Sequence, residues 1–373
     1  MTIEELTERI NNRGIKVNIS ALQEEYNSIS EDVKFTLLEL SKRVASALNM
    51  PLSKVKINSS KLMADFFYGY HQLPVTTLTR SGSRALDAAT LSPYASSNAD
   101  VKDYIFYRSE SKRAHILKNL LSEVEFGDEI HTNFNCHGAI SGRFTSTSPN
   151  LQQIPPMYRK FFIPRKGFKF LCCDIHQAEP SLSYQLAGLI PPVDVHENTA
   201  RNLGISRAKA KVFNNGVAYG MTPYGIAKLL GCTKSQGEQY LNAWRGANAE
   251  LVSFIDKINL KAAEEGKISI YDGSLTVKDD FSVTEKGYMN SRAFNIFNQG
   301  SLAKLMKIAM VNIQSFLDEH SPNSHIVLTE HDELVIELSE KDLNLAPTLI
   351  GMLEHIDKFE FIVDSKIADC WVK

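Results

Sequence analysis

Cysteine is scarce. The chain has five, an odd number, and no two are spaced as C-x-x-C, so nothing suggests a paired framework. Cys172 and Cys173 are adjacent on an expected strand and would point to opposite faces; all five read as buried thiols. Long apolar runs are also missing. None approaches the roughly 18 residues a membrane span needs, and the start MTIEELTERINNRG has neither the basic onset nor the apolar stretch of a signal peptide. A soluble protein of the cytoplasm, with no membrane partner, is expected. Nor is there an excess of either charge: 41 Lys and Arg face 43 Asp and Glu, a net charge of −2. Affinity for nucleic acid would therefore have to come from local basic grooves.

What the 373 residues do contain is an ordinary globular mixture, 43% hydrophobic and 23% charged, enough for two or three packed subdomains. The first hundred or so residues are helical in pattern. A long amphipathic stretch, SALQEEYNSISEDVKFTLLELSKRVASAL, opens at the N-cap candidate Ser20 and stops before Pro51. A second helix is expected from Asn58 or Ser59. A third carries Lys102, Arg108, Lys112, Arg113 and Lys118, a local basic cluster suited to phosphate contact or, equally, to a solvated face. From Ile130 the texture changes. IHTNFNCHG and FKFLCCDI read as strands, with the Pro-bounded NLQQIPP between them. Helical patterns run from Gln177 to Glu265, strand-like pieces return at ISIYDGSLTV, and HIVLTEHDELVIEL alternates around a polar tetrapeptide as a β-hairpin does.

Two aspartates stand out. Asp174 closes the apolar strand FKFLCCD just before a helix, and Asp332 sits in the hairpin turn. Carboxylates brought together from distant parts of a chain are the usual protein share of a two-metal site, which stabilises the attacking and leaving oxygens of a phosphoryl transfer. An isolated Asp after a strand would more often be a helix cap. The surrounding pattern decides between the two.

DIHQAE, with Asp174, Gln177 and Glu179, resembles motif A of the DNA polymerase I family (family A), usually D-Y-S-Q-I-E. HDE, with His331, Asp332 and Glu333, resembles motif C. RAKAKVFNNGVAYG is similar to motif B, R-x-x-x-K-x-x-x-F/Y-G-x-x-Y-G. SGRFTSTSPNLQQIP is similar to the family's primer–template gripping segment, and NIFNQGSLAKLMKIAM to its N-x-x-x-Q-G helix. HDE alone would occur often by chance; five motifs in the family's order over essentially the whole chain are specific. ERINNRGIKVNISALQEE and INSSKLMADFFYGYHQLP match more loosely the opening of the polymerase region and a thumb helix.

The resemblance implies an α+β right-hand polymerase fold with an antiparallel palm sheet, helical fingers and a helical thumb. It divides the chain into thumb (1–125, with an N-terminal segment packing on the palm), palm (126–190), fingers (191–291) and palm again (292–373). It implies extension of a primer 3′-hydroxyl with dNTPs, with two Mg²⁺ ions, or Mn²⁺ in their place, held by Asp174, Asp332 and Ile175. Gln177, Glu179, His196, Arg207, Lys211, Asn215 and Tyr219 then form the dNTP site, and Glu179 is the steric gate that disfavours ribonucleotides. Arg207, Lys211, Asn215 and Tyr219 recur every four residues, one slowly drifting helical stripe. Two positive donors for a triphosphate lead it, and an aromatic ring able to stack on the template base pair ends it. Arg143, Gln152, Gln153, His331, Lys112 and Arg113 are expected on primer–template DNA. Asn295 and Gln299 are expected to read minor-groove acceptors shared by all base pairs.

Departures from the family pattern shape further expectations. Asn215 stands where the family has Phe or Tyr, Ser181 where it has Arg, and Arg292 lies one residue off the usual spacing. YDGSLTV lacks the family's G-R-R-R run, and the stretch from Gly188 to Arg207 is short. A compact monomer with an altered DNA grip is expected, open to help from a processivity partner, as in phage or plasmid replication. No exonuclease-like stretch precedes Thr2, which implies proofreading from elsewhere. Two rivals are a single-subunit phage RNA polymerase, disfavoured by Glu179 and the H-D-E form, and an inactive primer–template binder, disfavoured by the intact Asp174, Asp332, Arg207 and Lys211.

Overall fold

Secondary structure follows the hydrophobic periods closely. The structure, a computed structural model, describes residues 1–79, 81–124, 127–282 and 292–373. The expected division at 125/126 and the expected end of the third segment at 291 lie outside these residues. The chain forms two compact units, one of residues 17–130 and one of Met1–Lys16 with His131–Lys373. Among the described residues, no helix is long and apolar enough to cross a membrane.

The larger unit begins with α1 (Ile3–Arg13), whose Thr2 and Glu5 form a reciprocal capping box. In the smaller unit α2 (Ile19–Ala47) packs along α5 (Ala99–Glu123), with the short α3 (Ser60–Ala64) and α4 (Ala88–Leu91) between them in sequence. Its core holds Leu40, Val44, Phe66, Phe67, Leu91, Val101 and Tyr104. The N-cap of α2 is Asn18, whose side chain accepts from the Ala21 amide, and not Ser20. Ser20 already lies inside the first turn, while Asn18 keeps the non-helical backbone a cap requires. Ser59 caps α3 as expected.

In the larger unit the strands of three or more described residues are β1 (Asn133–Asn135), β2 (Thr145–Thr147), β3 (Phe168–Ile175), β4 (Lys267–Ser269), β5 (Thr276–Lys278), β6 (His325–Glu330), β7 (Glu333–Ser339) and β8 (Val363–Ala368). Four of them form the antiparallel sheet β8-β3-β7-β6. Phe170, Leu171, Cys172 and Cys173 are all buried, which is why β3 is continuously apolar rather than alternating. Helices α6 (Ala178–Leu186), α7 (Val195–Leu203), α8 (Arg207–Ala218), α9 (Pro223–Leu230), α10 (Lys234–Ala247) and α11 (Ala249–Glu265) follow the first sheet strand. Their cluster, with Phe213, Ile226, Trp244 and Ile255, is continued by Phe294 and Phe297 of α12 (Arg292–His320). A last helix, α13 (Ala346–Glu354), precedes β8. Cys136, Cys172 and Cys173 are buried, but Cys232 and Cys370 are half-exposed. Those two lie just past the ends of α9 and β8, outside the regular elements whose packing buries the other three.

Gly300 brings α12 onto the loop before β2. A Cβ there would meet the Ser141 carbonyl oxygen at 2.9 Å and Ile270 at 2.7 Å, so no larger residue fits without movement. The same loop carries Arg143.

Candidate active site

Register sets the two aspartates side by side. Asp174 pairs across β3 and β7 with Glu333, the residue after Asp332, and the Ile175 amide donates to the Asp332 carbonyl at 3.1 Å. His331, in the tight turn between β6 and β7, takes a left-handed φ of 59°. Burial, reinforced by the negative charge of Asp174, pushes the Asp332 carboxyl up to about 6. Asp174 Oδ1 is shielded from solvent with no aligned hydrogen bond; its contact is an ion pair with Lys373 Nζ at 2.9 Å. A part-buried carboxylate whose Oδ1 lacks an aligned hydrogen bond, beside a second one that resists ionising, is a site that favours positive charge. All-oxygen donors suit a hard cation such as Mg²⁺. Ile175, with an apolar and buried side chain, could join such a site only through its backbone carbonyl.

Glu179 is held from three sides. It lies in the first turn of α6, where negative charge is favoured. Arg143 pairs with one carboxylate oxygen and the Tyr219 hydroxyl donates to the other. Asn298 of α12 donates to the Glu179 carbonyl at 3.1 Å and to the Tyr219 oxygen at 3.2 Å. Burial raises the Tyr219 phenol well above its ordinary range, and the Glu179 charge adds to the effect. Gln177, at the start of α6, is left-handed at φ 50°. Its side-chain oxygen accepts from the His196 amide at 3.3 Å, and its amide nitrogen is 2.5 Å from His176 Nε2. The Ser181 hydroxyl accepts from Gln185 at 3.3 Å.

Helix α8 presents the expected stripe in part. Arg207, Lys211 and Asn215 are exposed along it. Tyr219 is not on it: the helix ends at Ala218 and Tyr219 is its C-cap, with ψ 21°, so the ring turns inward to Glu179 and Phe294. Arg207 Nε donates to Asp194 Oδ2 at 2.8 Å. Burial pushes Asp194 up, yet the Glu197 amide and Arg207 outweigh it and hold the carboxyl at about 2. His196 is 2% exposed, with Nδ1 3.1 Å from Asn214 Nδ2. Burial drives its imidazole down to about 4, so it is neutral at pH 7.

The remaining candidates divide. Gln152 is tied through its side chain to the Thr329 carbonyl at 3.1 Å, whereas Gln153 is exposed and Asn295 and Gln299 are half-exposed. In the smaller unit Lys112 is exposed, while Arg113 is engaged by Glu110 at 2.8 Å and Glu25 at 3.3 Å.

Sequence reasoning missed several contributors. Asn214 bridges α7, α8 and α10: its side-chain oxygen accepts from Trp244 Nε1 at 2.9 Å and Thr199 at 3.0 Å. Arg159, nearly buried, bonds Glu333 at 2.8 Å and Glu330 at 2.5 Å under the Trp371 ring, 4.2 Å from its centroid. Lys373 was missed as well. The available signal was a charge within an apolar context, as in PMYRKFF and CWVK.

Comparison with known proteins bears on the chain as a whole. The chain is 28% identical to DNA polymerase I of Pseudomonas aeruginosa over 361 residues, covering 89% of this chain and 39% of that protein. It is 29% identical to DNA polymerase I of Caldicellulosiruptor bescii over 316 residues, covering 77% and 37% respectively. It thus spans about two fifths of the length of these relatives. Among solved structures, the POL domain of Pol1 from M. smegmatis, in complex with DNA primer-template and dNTP, superimposes with a TM-score of 0.84 at 20% identity, covering 99% of this chain and 69% of that one. That likeness establishes the right-hand polymerase fold expected from the motifs, built here on the antiparallel sheet that carries Asp174. The sequence model of DNA polymerase family A matches residues 23–372, a span that takes in all five motifs, and the chain accordingly belongs to DNA polymerase family A.

Proposed function

We propose that this chain is the polymerase region of a DNA-directed DNA polymerase, which adds dNTPs to a primer 3′-hydroxyl on a template and releases pyrophosphate. The observation that carries the reading is the convergence of Asp174 and Asp332, 158 residues apart in sequence, at one end of one sheet. In this reading residues 1–125 form the thumb with a palm-packing N-terminal segment, 126–190 and 292–373 the palm, and 191–291 the fingers. Primer–template DNA and dNTPs are the partners, the chain acts as a monomer, and a processivity partner supplements its DNA grip. The departures at Asn215 and Ser181 support a place in phage or plasmid replication.

Asp174, Asp332 and the Ile175 carbonyl would hold two Mg²⁺ ions, with Mn²⁺ as an alternative. When bound, the ions supply positive charge to the attacking and leaving oxygens of the displacement. Arg207 and Lys211 neutralise the triphosphate, Arg207 exchanging its Asp194 contact for phosphate oxygens. Glu179, braced by Arg143 and Tyr219, fills the space a ribose 2′-hydroxyl would need. Gln177 and His196 support the same pocket, and Asn215 borders it. Asn295 and Gln299 check minor-groove geometry. Arg143, Gln152, Gln153, His331, Lys112 and Arg113 hold the primer–template. Most of the acceleration comes from positioning and from charge fixed in advance.

Primer extension tests the reading. Asp174→Asn and Asp332→Asn should each reduce extension by several orders of magnitude while leaving primer–template affinity nearly unchanged. Near-normal extension by either variant would sink it, and preference for rNTPs over dNTPs on the wild type would favour the RNA polymerase alternative.

A further inference from the structure

One cation already stands at the carboxylate pair. Lys373 Nζ lies 2.9 Å from Asp174 Oδ1, and Asp332 and Glu333 are the other negative charges it senses. A half-exposed lysine at the end of a chain segment would ordinarily sample many positions, since ordering its long side chain costs entropy. This one is delivered by an anchor. Trp371, two residues earlier, is 1% exposed. Its indole N–H donates to Glu333 and its amide donates to the Phe162 carbonyl at 2.9 Å. Its ring meets Phe162 edge-on at 5.6 Å, and the Arg159 guanidinium lies over the other contact surface at 4.2 Å. The Val372–Lys373 step therefore starts from a fixed point beside Glu333, which confines where the ammonium can reach and keeps Asp174 within that reach.

We propose that Lys373 is a built-in counter-ion of the carboxylate pair, occupying the position of positive charge while the site is free and being displaced when a divalent cation binds. The inference rests on the reading of Asp174 and Asp332 as the metal-holding residues. Its consequence is a competition: each bound cation must displace the ammonium from Asp174, so the lysine weakens cation affinity in the absence of substrate and keeps the carboxylates from repelling one another. A triphosphate, which brings negative charge of its own, gives the displaced ammonium a new partner.

The test is Mn²⁺ binding to the full chain without DNA or nucleotide, followed by the electron paramagnetic resonance signal of free Mn²⁺. Lys373→Met should tighten binding about tenfold, and Lys373→Arg, which keeps the charge, should stay within about twofold of wild type. In lysine-labelled protein the Lys373 side-chain NMR resonance, identified by its loss in Lys373→Arg, should shift on addition of diamagnetic Mg²⁺ and should not shift in Asp174→Asn. Unchanged or weaker Mn²⁺ binding by Lys373→Met, or a Lys373 resonance indifferent to Mg²⁺, would overturn the proposal. The two layers separate cleanly: if Asp174→Asn binds Mn²⁺ as wild type does, the metal-site reading itself fails. If Asp174→Asn loses binding and Lys373→Met gains none, only the counter-ion role fails.

Discussion

Arg159→Met should cost the larger unit about 3 kcal/mol of stability at pH 8, a figure that follows from which charges it would strand. The arginine side chain is 6% exposed and serves two carboxylates, Glu333 at 1% and Glu330 at 15%. Removing one partner from a buried ion pair costs roughly 3–5 kcal/mol, because the charge left behind is uncompensated. The lower end applies here for two reasons. Glu333 keeps the Trp371 indole N–H, and Glu330 can escape by taking a proton, since burial already pushes its carboxyl up to about 7 against the opposing pull of Arg159. A carboxyl raised in the folded state binds its proton more tightly there than in the unfolded chain. Its contribution is therefore fully present below about 4.5 and is lost as pH rises through about 7. Without Arg159 that folded value climbs further, so the deficit of the variant should be largest at pH 8 and shrink towards pH 5. Urea unfolding monitored by tryptophan fluorescence reads it directly, because Trp371 sits in the network. Arg159→Lys, able to serve one carboxylate, should fall between the two. A deficit below about 1 kcal/mol at pH 8, or one that grows as the pH falls, would refute the reasoning.

Glu179→Ala should raise ribonucleotide incorporation relative to dNTP, and an unchanged ratio in single-nucleotide kinetics would remove Glu179 from the gate. Asn215→Phe and Asn215→Tyr should lower KM for dNTPs by supplying aromatic packing worth about 1 kcal/mol; a higher KM in both would show that the Asn215 amide makes a contact of its own. His196 is neutral in the fold, with its imidazole lowered to about 4 from 6.5 by burial, so its contribution is present above pH 6.5 and is lost as pH falls towards 4. His196→Gln should flatten the loss of stability over that range by roughly 2–3 kcal/mol, leaving the similar contribution of His325, and an unaltered slope in urea unfolding would contradict the assignment.

The elements legible in the sequence are those whose signals are local. A hairpin announces itself through alternation on both sides of a polar turn, and β3 through an uninterrupted apolar run, so the residue pattern alone places Asp174 and Asp332 at strand ends. The stripe on α8 is legible for the same reason, but only to the last helical residue. Tyr219 obeys the four-residue spacing and still leaves the face, because a helix stop depends on how Gly220 and Met221 turn back, with Met221 bonding the Gly216 carbonyl at 2.7 Å. Asn18 displaces Ser20 as a cap for a related reason, since both are good capping residues and only the backbone angles choose between them.

Non-local partners are invisible in the sequence, and they are what give the candidate site its state. Arg143 reads in the motif as a DNA-gripping residue and Glu179 as a gate, yet in the free chain each is the other's counter-charge, with Tyr219 and Asn298 closing the set. Arg207 rests on Asp194 and Asp174 on Lys373. These functional charges, expected to meet a triphosphate, a phosphate backbone or a cation, are thus already paired within the protein. That pattern has a physical reason. Asp174 and Asp332 are like charges drawn together at one sheet end, and an exchangeable internal partner eases their repulsion without filling the site permanently. A motif records which residues meet the substrate; the partners that hold them beforehand come from wherever the fold brings an opposite charge near. The Arg143–Glu179, Arg207–Asp194 and Lys373–Asp174 contacts join residues 36, 13 and 199 positions apart, and no spacing rule links them.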